Sequence, residues 1–187
     1  MANILFCNAY FYWLDEKQMK NGQPYPPLGT AYAAGTMRNA QHKVMIHDNN
    51  LRNNLTEIVP KIRSLQAKYM VIYDDGFNYL TKMCLTKMRE TTFEIITWAK
   101  AEGCTVILNS SDSTDHYVDY HRAGVDYIIH GEGELALLEL VGELEEGNNA
   151  NGLLGISFME GTEVTKNAKR PVLKSLDELP DPAWDLL

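Results

Sequence analysis

Asp126-Tyr127-Ile128-Ile129-His130-Gly131-Glu132-Gly133-Glu134 is the stretch from which the chain is best read. Its first half is a short apolar run, suited to a buried strand. The Gly-Glu-Gly-Glu turn supplies backbone freedom at its glycines. Glu134 then falls at the start of an apolar, helix-patterned stretch, where the helix dipole favours a carboxylate. An acidic turn from the carboxyl end of a strand into a helix is where open α/β sheets bind ligands.

Upstream, the same alternation repeats. Apolar runs at residues 3–8, 43–47, 69–73 and 105–108 read as strands buried on both faces. Between them, residues 28–40, 55–67, 81–101 and 114–123 carry helical spacing, and residues 134–146 make the last helix. Strand–helix–strand succession implies a parallel sheet with right-handed crossovers. The expected fold is an α/β three-layer sandwich of flavodoxin-like (Rossmann-type) form, with five parallel strands in the order 2-1-3-4-5. Residues 155–160 and 163–164, turned at Gly161-Thr162, add a short hairpin extension. From Arg170 onward the prolines and the absence of periodicity read as a linker. The division expected is residues 1–150 for the α/β domain and 151–187 for hairpin and linker.

Bulk properties exclude several classes. The chain has 187 residues, a formal charge of −8 and 45% hydrophobic residues. Such a charge does not suit a nucleic-acid surface, which needs clustered Lys and Arg. No run approaches the ~18 apolar residues of a membrane span. Cys7, Cys84 and Cys104 are far apart and odd in number, which suits a reducing cytoplasm better than a disulfide framework. His47, His116 and His121 have no second ligand at metal-binding spacing.

In such a sheet the loops after the strands share one edge. They read Asn8-Ala9-Tyr10-Phe11-Tyr12-Trp13, Asp48-Asn49-Asn50-Leu51, Asp74-Asp75-Gly76-Phe77-Asn78, Asn109-Ser110-Ser111-Asp112-Ser113 and Gly131-Glu132-Gly133-Glu134. They are rich in amides, hydroxyls, carboxylates and aromatics and almost free of cations. Phosphate would call for Lys, Arg or a glycine-rich cradle, and neither GxGxxG nor GxxxxGK[ST] occurs. A large neutral ligand bearing many amides fits this edge. The plain structural reading stands beside it: Ser113 or Thr114 capping a helix, the aromatics packing on a partner domain, the Met83–Met88 stretch forming helix core.

Taken together, Tyr25-Pro26-Pro27-Leu28-Gly29 opening the first helix, Asp48 closing the second strand, the Gly131-Glu132-Gly133-Glu134 turn, and the closing Leu176-Asp177-Glu178-Leu179-Pro180-Asp181-Pro182-Ala183-Trp184-Asp185-Leu186-Leu187 form an ordered set. The chain resembles the N-terminal cobalamin-binding domain of the cobalamin-dependent radical SAM enzymes. The resemblance covers essentially the whole sequence. It implies cobalamin at the carboxyl edge of the sheet. It also implies a following barrel, outside this chain, that holds S-adenosylmethionine and a [4Fe-4S] cluster on CxxxCxxC, commonly for methyl transfer. No cysteine here has a neighbour at that spacing, so catalysis is not expected of the chain alone.

On this reading Tyr10, Tyr12 and Phe77 are candidates for contact with the corrin. Asn8, Asn49, Asn78, Ser110, Ser111 and Glu132 are candidates for hydrogen bonds to its amides. Asp48, Leu51, Asp75, Gly131 and Gly133 complete the candidate loops. The sequence departs from carriers of the methionine-synthase type in two places. Asn50 stands where their DxHxxG motif has His, which implies cobalt without a His beneath it. Ser110-Ser111 stands where they place a glycine pair. Two other readings remain: a domain of this fold that binds no cofactor and serves as an interaction platform, and a phosphoacceptor receiver using Asp74 or Asp75. The receiver would also need an acidic pair after the first strand, where Asn8-Ala9 stand. The partner implied is the barrel, with neither nucleic acid nor membrane. The apolar end at Trp184, Leu186 and Leu187 is expected to fold back on the domain or to self-associate weakly.

Overall fold

The computed structural model describes residues 1–50, 52–74 and 85–187. The strands are β1 (Asn3–Cys7), β2 (Lys43–His47), β3 (Tyr69–Tyr73), β4 (Thr105–Asn109), β5 (Tyr127–Ile129), β6 (Ile156–Glu160) and β7 (Glu163–Lys166). The helices are α1 (Glu16–Asn21), α2 (Leu28–Asn39), α3 (Ile58–Leu65), α4 (Leu85–Ala101), α5 (Ser111–Asp115), α6 (Tyr117–Arg122) and α7 (Glu134–Glu145). One sheet runs β2-β1-β3-β4-β5-β6-β7. The first five strands pair in parallel in the order read from the sequence.

The sheet has seven strands, not five. The hairpin does not stand beside the sheet but continues it, with β6 antiparallel to β5 and β7 antiparallel to β6. The reason is that β5 has only three residues, and Ile128 and Ile129 are fully buried. As an edge it would leave buried backbone N–H and C=O groups unpaired. Ile156, Ser157 and Phe158 of β6 cover it.

Alternation along the strands builds two cores. Leu5, Cys7, Met70, Ile72, Val106 and Leu108 face α3, α4 and α6. Ile4, Phe6, Tyr69, Val71 and Ile107 face α2 and α7. Each fully buried Leu, Ile or Met side chain contributes about 1.5–3 kcal/mol. The α2 helix is small-residued (Gly29, Ala31, Ala33, Ala34, Gly35), which lets it lie close to what covers it. A Cβ built on Gly35 would stand 2.5 Å from the Asp181 carbonyl oxygen. The last residues of the chain lie against this groove. Ala183 is fully buried and donates its N–H to the Ala31 carbonyl at 3.0 Å, Arg38 Nη1 donates to both carboxylate oxygens of Asp185, and Leu186 packs on the core. Trp184 and Leu187 stay 48% and 45% exposed.

A directed chain of hydrogen bonds fastens β6. His121 Nδ1 lies 2.9 Å from the Val125 carbonyl, which only accepts, so this nitrogen carries the proton. His121 Nε2, 3.0 Å from Ser157 Oγ, therefore accepts the serine proton. Ser157 in turn accepts from His130 Nε2 at 2.9 Å. His130 Nδ1 is left as a buried acceptor with no partner among the described residues. Burial lowers the pKa of both histidines, His130 to about 4.

The helix read over residues 114–123 is two short helices broken at His116. Ser110, not Ser113 or Thr114, is the cap: its Oγ accepts the Ser113 N–H, and Ser113 Oγ accepts the Ser110 N–H. Arg89 of α4 reaches Asp112 with two bonds of 2.8 and 2.6 Å, and the Tyr120 hydroxyl adds a third. Burial would raise the Asp112 carboxyl, but these partners outweigh it and hold the group below the usual carboxylate range.

Candidate functional site

The carboxyl ends of β3, β4 and β5 open into a cleft of about 510 Å³. Tyr73 and Asp74 leave β3, Asn109, Ser110 and Ser111 leave β4, and Gly131 and Glu132 leave β5. Gly29 and Glu134, from the first turns of α2 and α7, close the remaining side. Thr30 fixes α2 over this edge by donating its hydroxyl to the Tyr73 carbonyl at 2.6 Å. Asn109 bridges two loops, donating from Nδ2 to the carbonyls of Ile129 and Gly131, both at 3.0 Å. Asp74 donates its N–H to the Asn109 carbonyl.

A second cleft of about 730 Å³ adjoins the first and shares Gly29, Glu132 and Glu134 with it. Its walls combine apolar side chains, among them Tyr32, Leu135, Leu154, Val172, Leu176 and Leu179, with the charged Glu139, Arg170, Lys174 and Glu178. Part of that wall is the irregular segment from Arg170 to Leu179. The smaller cleft has four carboxylate side chains in its lining (Asp74, Asp115, Glu132, Glu134) and hydroxyls from Ser111 and Thr114, with no Lys or Arg among the described residues. Such a surface accepts hydrogen bonds from a neutral or cationic ligand and repels an anion.

Of the residues singled out in the sequence, Ser110, Ser111, Gly131 and Glu132 meet in the smaller cleft. The Ser110 side chain is also committed to its cap. Gly133 caps α7 beside the cleft, where its lack of a side chain matters: a Cβ there would stand 2.6 Å from the Tyr73 hydroxyl oxygen. The freedom read for both glycines applies to Gly131 (φ +86°), whereas Gly133 has an ordinary φ of −108°.

Asn8, Asp48 and Asn49 form a separate cluster at the ends of β1 and β2. Asn49 donates its N–H to Asn8 Oδ1 (2.8 Å) and its Nδ2 to the Asn8 carbonyl (2.6 Å). Asp48 accepts the Asn50 N–H at 2.9 Å, and burial raises its pKa against that bond. Asn50 is 2% exposed and turns inward, donating to the Tyr25 carbonyl. His47, fully buried beside them, has neither ring nitrogen bonded among the described residues. Burial, with Lys61 and Arg52 nearby, lowers its pKa to about 3.

Tyr10 and Tyr12 are buried beneath the edge in the α3–α4 core. Their hydroxyls reach Asp15 (3.1 Å) and the Gln18 carbonyl (2.6 Å). Leu51, Asp75, Phe77 and Asn78 lie outside the described residues. The lining residues Gly29 and Glu134 stood inside quoted motifs, and Thr114 and Asp115 inside the helix read over residues 114–123, without being singled out as ligand contacts. The wall from Arg170 onward carried no signal beyond its prolines. No helix among the described residues is long and apolar enough to cross a membrane.

No family model matches the chain. Over 175 residues it is 30% identical to an uncharacterized methyltransferase of Pyrococcus horikoshii, covering 89% of this chain and 35% of that protein. It is 26% identical over 156 residues to the anaerobic magnesium-protoporphyrin IX monomethyl ester cyclase of Synechocystis, covering 81% and 30%. The chain thus spans about a third of the length of these relatives. Among solved structures it is similar to the cobalamin-dependent S-adenosylmethionine radical enzyme OxsB with aqua-cobalamin and S-adenosylmethionine bound, with a TM-score of 0.72 at 16% identity, covering 100% of this chain and 24% of that one. The radical S-adenosylmethionine methyltransferase TsrM of Kitasatospora setae, with cobalamin and a [4Fe-4S] cluster bound, gives 0.68 at 15%, covering 98% and 32%. At these identities the two solved structures share with this chain its α/β fold.

Proposed function

We propose that this chain is a cobalamin-binding domain that presents the cofactor to a radical S-adenosylmethionine barrel outside the sequence, in an enzyme of the methyltransferase kind. The observation that carries this reading is the cleft over β3–β5: acceptor-rich, without Lys or Arg among its described lining residues, and adjoining a larger cleft that adds the apolar side chains of Tyr32, Leu135, Leu154, Val172, Leu176 and Leu179. A corrin ring rimmed with amides presents N–H donors to carboxylates and hydroxyls and apolar surface to the second cleft. The donor set therefore fits the group. Glu132, Ser111 and Asp74 would hold the amides, and Gly29 and Gly131 would let the ligand approach backbone. Cobalamin, when bound, supplies a cobalt centre for methyl transfer.

Asn50, which stands where the methionine-synthase type has His, faces the interior and donates to the Tyr25 carbonyl, and this supports a mode in which that position leaves cobalt alone. S-adenosylmethionine and the iron–sulfur cluster would be held elsewhere. Titrating hydroxocobalamin into the purified chain should shift the visible spectrum and carry the absorbance through gel filtration with the protein. An unchanged spectrum up to high micromolar protein would reject the reading.

A further inference from the structure

Residues 170–179 form a strap across the larger cleft. Its start is pinned: Arg170 holds Glu139 of α7 with bonds of 2.7 and 2.6 Å, and the Gly155 N–H donates to the Ala168 carbonyl. Its far end is pinned where Asp181 and Ala183 lie on α2. Between these anchors, one hydrogen bond ties the strap to the rest of the described structure: the Leu173 N–H donates to Glu132 Oε2 at 2.6 Å. The remaining bonds, Glu178 N–H to Ser175 and Leu179 N–H to Leu176, are internal to the strap. Val172 and Leu176 are 68% and 72% exposed, and Leu173 and Leu179 are half-buried, so partial burial of two leucines and the Glu132 bond together hold the strap down.

Glu132 belongs to both clefts. Its side chain is exposed, and a free glutamate in that position would sample many rotamers, a loss of freedom that any ligand using it must overcome. The Leu173 N–H occupies one carboxylate oxygen, while an ionised carboxylate has capacity for further donors at both. We propose that Glu132 is a positioning latch. The strap holds its carboxylate at the wall between the clefts, ready for an N–H of an amide-bearing ligand, and ligand binding and strap closure strengthen each other. This rests on the cobalamin reading for its ligand but not for the latch itself. Linkage requires the coupling to be reciprocal: what the strap does for the ligand, the ligand does for the strap.

The test is limited proteolysis with a lysine-specific protease, read at Lys174, beside hydroxocobalamin titration of the same proteins. Without cofactor, Glu132→Ala should raise cutting at Lys174 at least five-fold while its melting curve overlays the wild type. Equal cutting would overturn the latch. With saturating cofactor, wild-type cutting should slow at least three-fold; a spectrum showing binding with unchanged or faster cutting would overturn the coupling and leave the cobalamin reading intact. Glu132→Gln separates holding the strap from holding the ligand. It keeps an acceptor for Leu173 but turns an NH₂ group toward the cleft. Its strap should be cut within two-fold of wild type, with cofactor affinity at least five-fold weaker; wild-type affinity would overturn the positioning role. No spectral change with any protein would reject the cobalamin reading and the coupling, while the cofactor-free comparison still decides the latch.

Discussion

Tyr73 and Gly133 are in contact so close that any side chain at the glycine would force the tyrosine ring to shift. A Cβ on Gly133 would stand 2.6 Å from the Tyr73 hydroxyl oxygen, 2.8 Å from Cε2 and 3.0 Å from Cζ. Tyr73 is 4% exposed and its ring is held among the α2 and α7 side chains, so it has nowhere inexpensive to go. Gly133→Ala is expected to cost about 1–3 kcal/mol as overpacking and to weaken ligand binding by moving a cleft wall. Gly131→Ala makes the contrast. Nothing lies within 4 Å of its Cβ position, so only the backbone strain at positive φ applies, roughly 1–2 kcal/mol. Thermal melts of the two variants, with binding measured beside them, check the difference; a Gly133→Ala protein that melts and binds like wild type would show the contact to be soft.

Gly35 plays the same part for the chain end. Adding a methyl there forces the Asp181 carbonyl off α2, and Gly35→Ala should lower stability by about 1–3 kcal/mol, or several degrees in Tm for a chain of this size. Removing residues 182–187 is expected to lower Tm as well, because Ala183 and its hydrogen bond to Ala31 belong to the packed structure. Coincident melting curves for full-length and shortened chains would contradict this.

Acid should loosen the fold before carboxylates titrate. His47, His121 and His130 all have pKa values below the ordinary histidine value, chiefly through burial. The unfolded chain therefore takes up more protons, and stability rises with pH. Their contribution is complete above about pH 6.5 and is lost as pH falls toward 4 for His130 and 3 for His47. At pH 5 the loss amounts to about 1–2 kcal/mol for each of these two. Urea unfolding at pH 7.5 and 5.0 measures it. His47→Leu should flatten the difference, since neither ring nitrogen is bonded among the described residues and an apolar side chain of similar size suits the site.

Asn50→His offers a direct check on the cobalt side. The Asn50 amide points to the Tyr25 carbonyl at 2.8 Å inside the domain, and the residue is 2% exposed. The larger ring is expected to destabilise the β2 loop and to leave the bound-cofactor spectrum unaltered. A new spectrum of histidine-ligated cobalt would place this loop beneath the corrin and correct the orientation argued above.

Where the sequence was legible, the physics was periodic. Buried parallel strands are bare apolar runs, so all five were readable with their order, and Glu134 marked the start of α7. Cap and hairpin were read in kind but not in place. Ser110, Ser113 and Thr114 are equally good caps on paper, and only the break at His116 and the grip of Arg89 on Asp112 select Ser110. Tyr10 and Tyr12 carry a hydroxyl and a hydrophobic ring, which suits an exposed edge and a core alike. The turn capped by Asp15 folds them inward, where their hydroxyls find Asp15 and Gln18. The Glu132–Leu173 bond joins residues 41 apart through a backbone N–H, which leaves no trace in residue identity.

The reversed direction of β6 settles where the rest of the chain can go. Ile156 pairs with Ile129 and Phe158 with Tyr127, so β6 begins at the ligand edge and runs away from it, and β7 comes back. The two strands make an even number of crossings, β6 outward and β7 back. A lone added strand would have delivered residue 167 and everything after it to the far side of the sheet, some five residues' length from the clefts. The hairpin is therefore a detour without displacement: it lengthens the sheet, seals β5, and returns the polypeptide to the side it left. Lengthening or swapping the Gly161-Thr162 turn changes only the remote end, so that turn is the place to graft a tag or reporter without touching ligand chemistry.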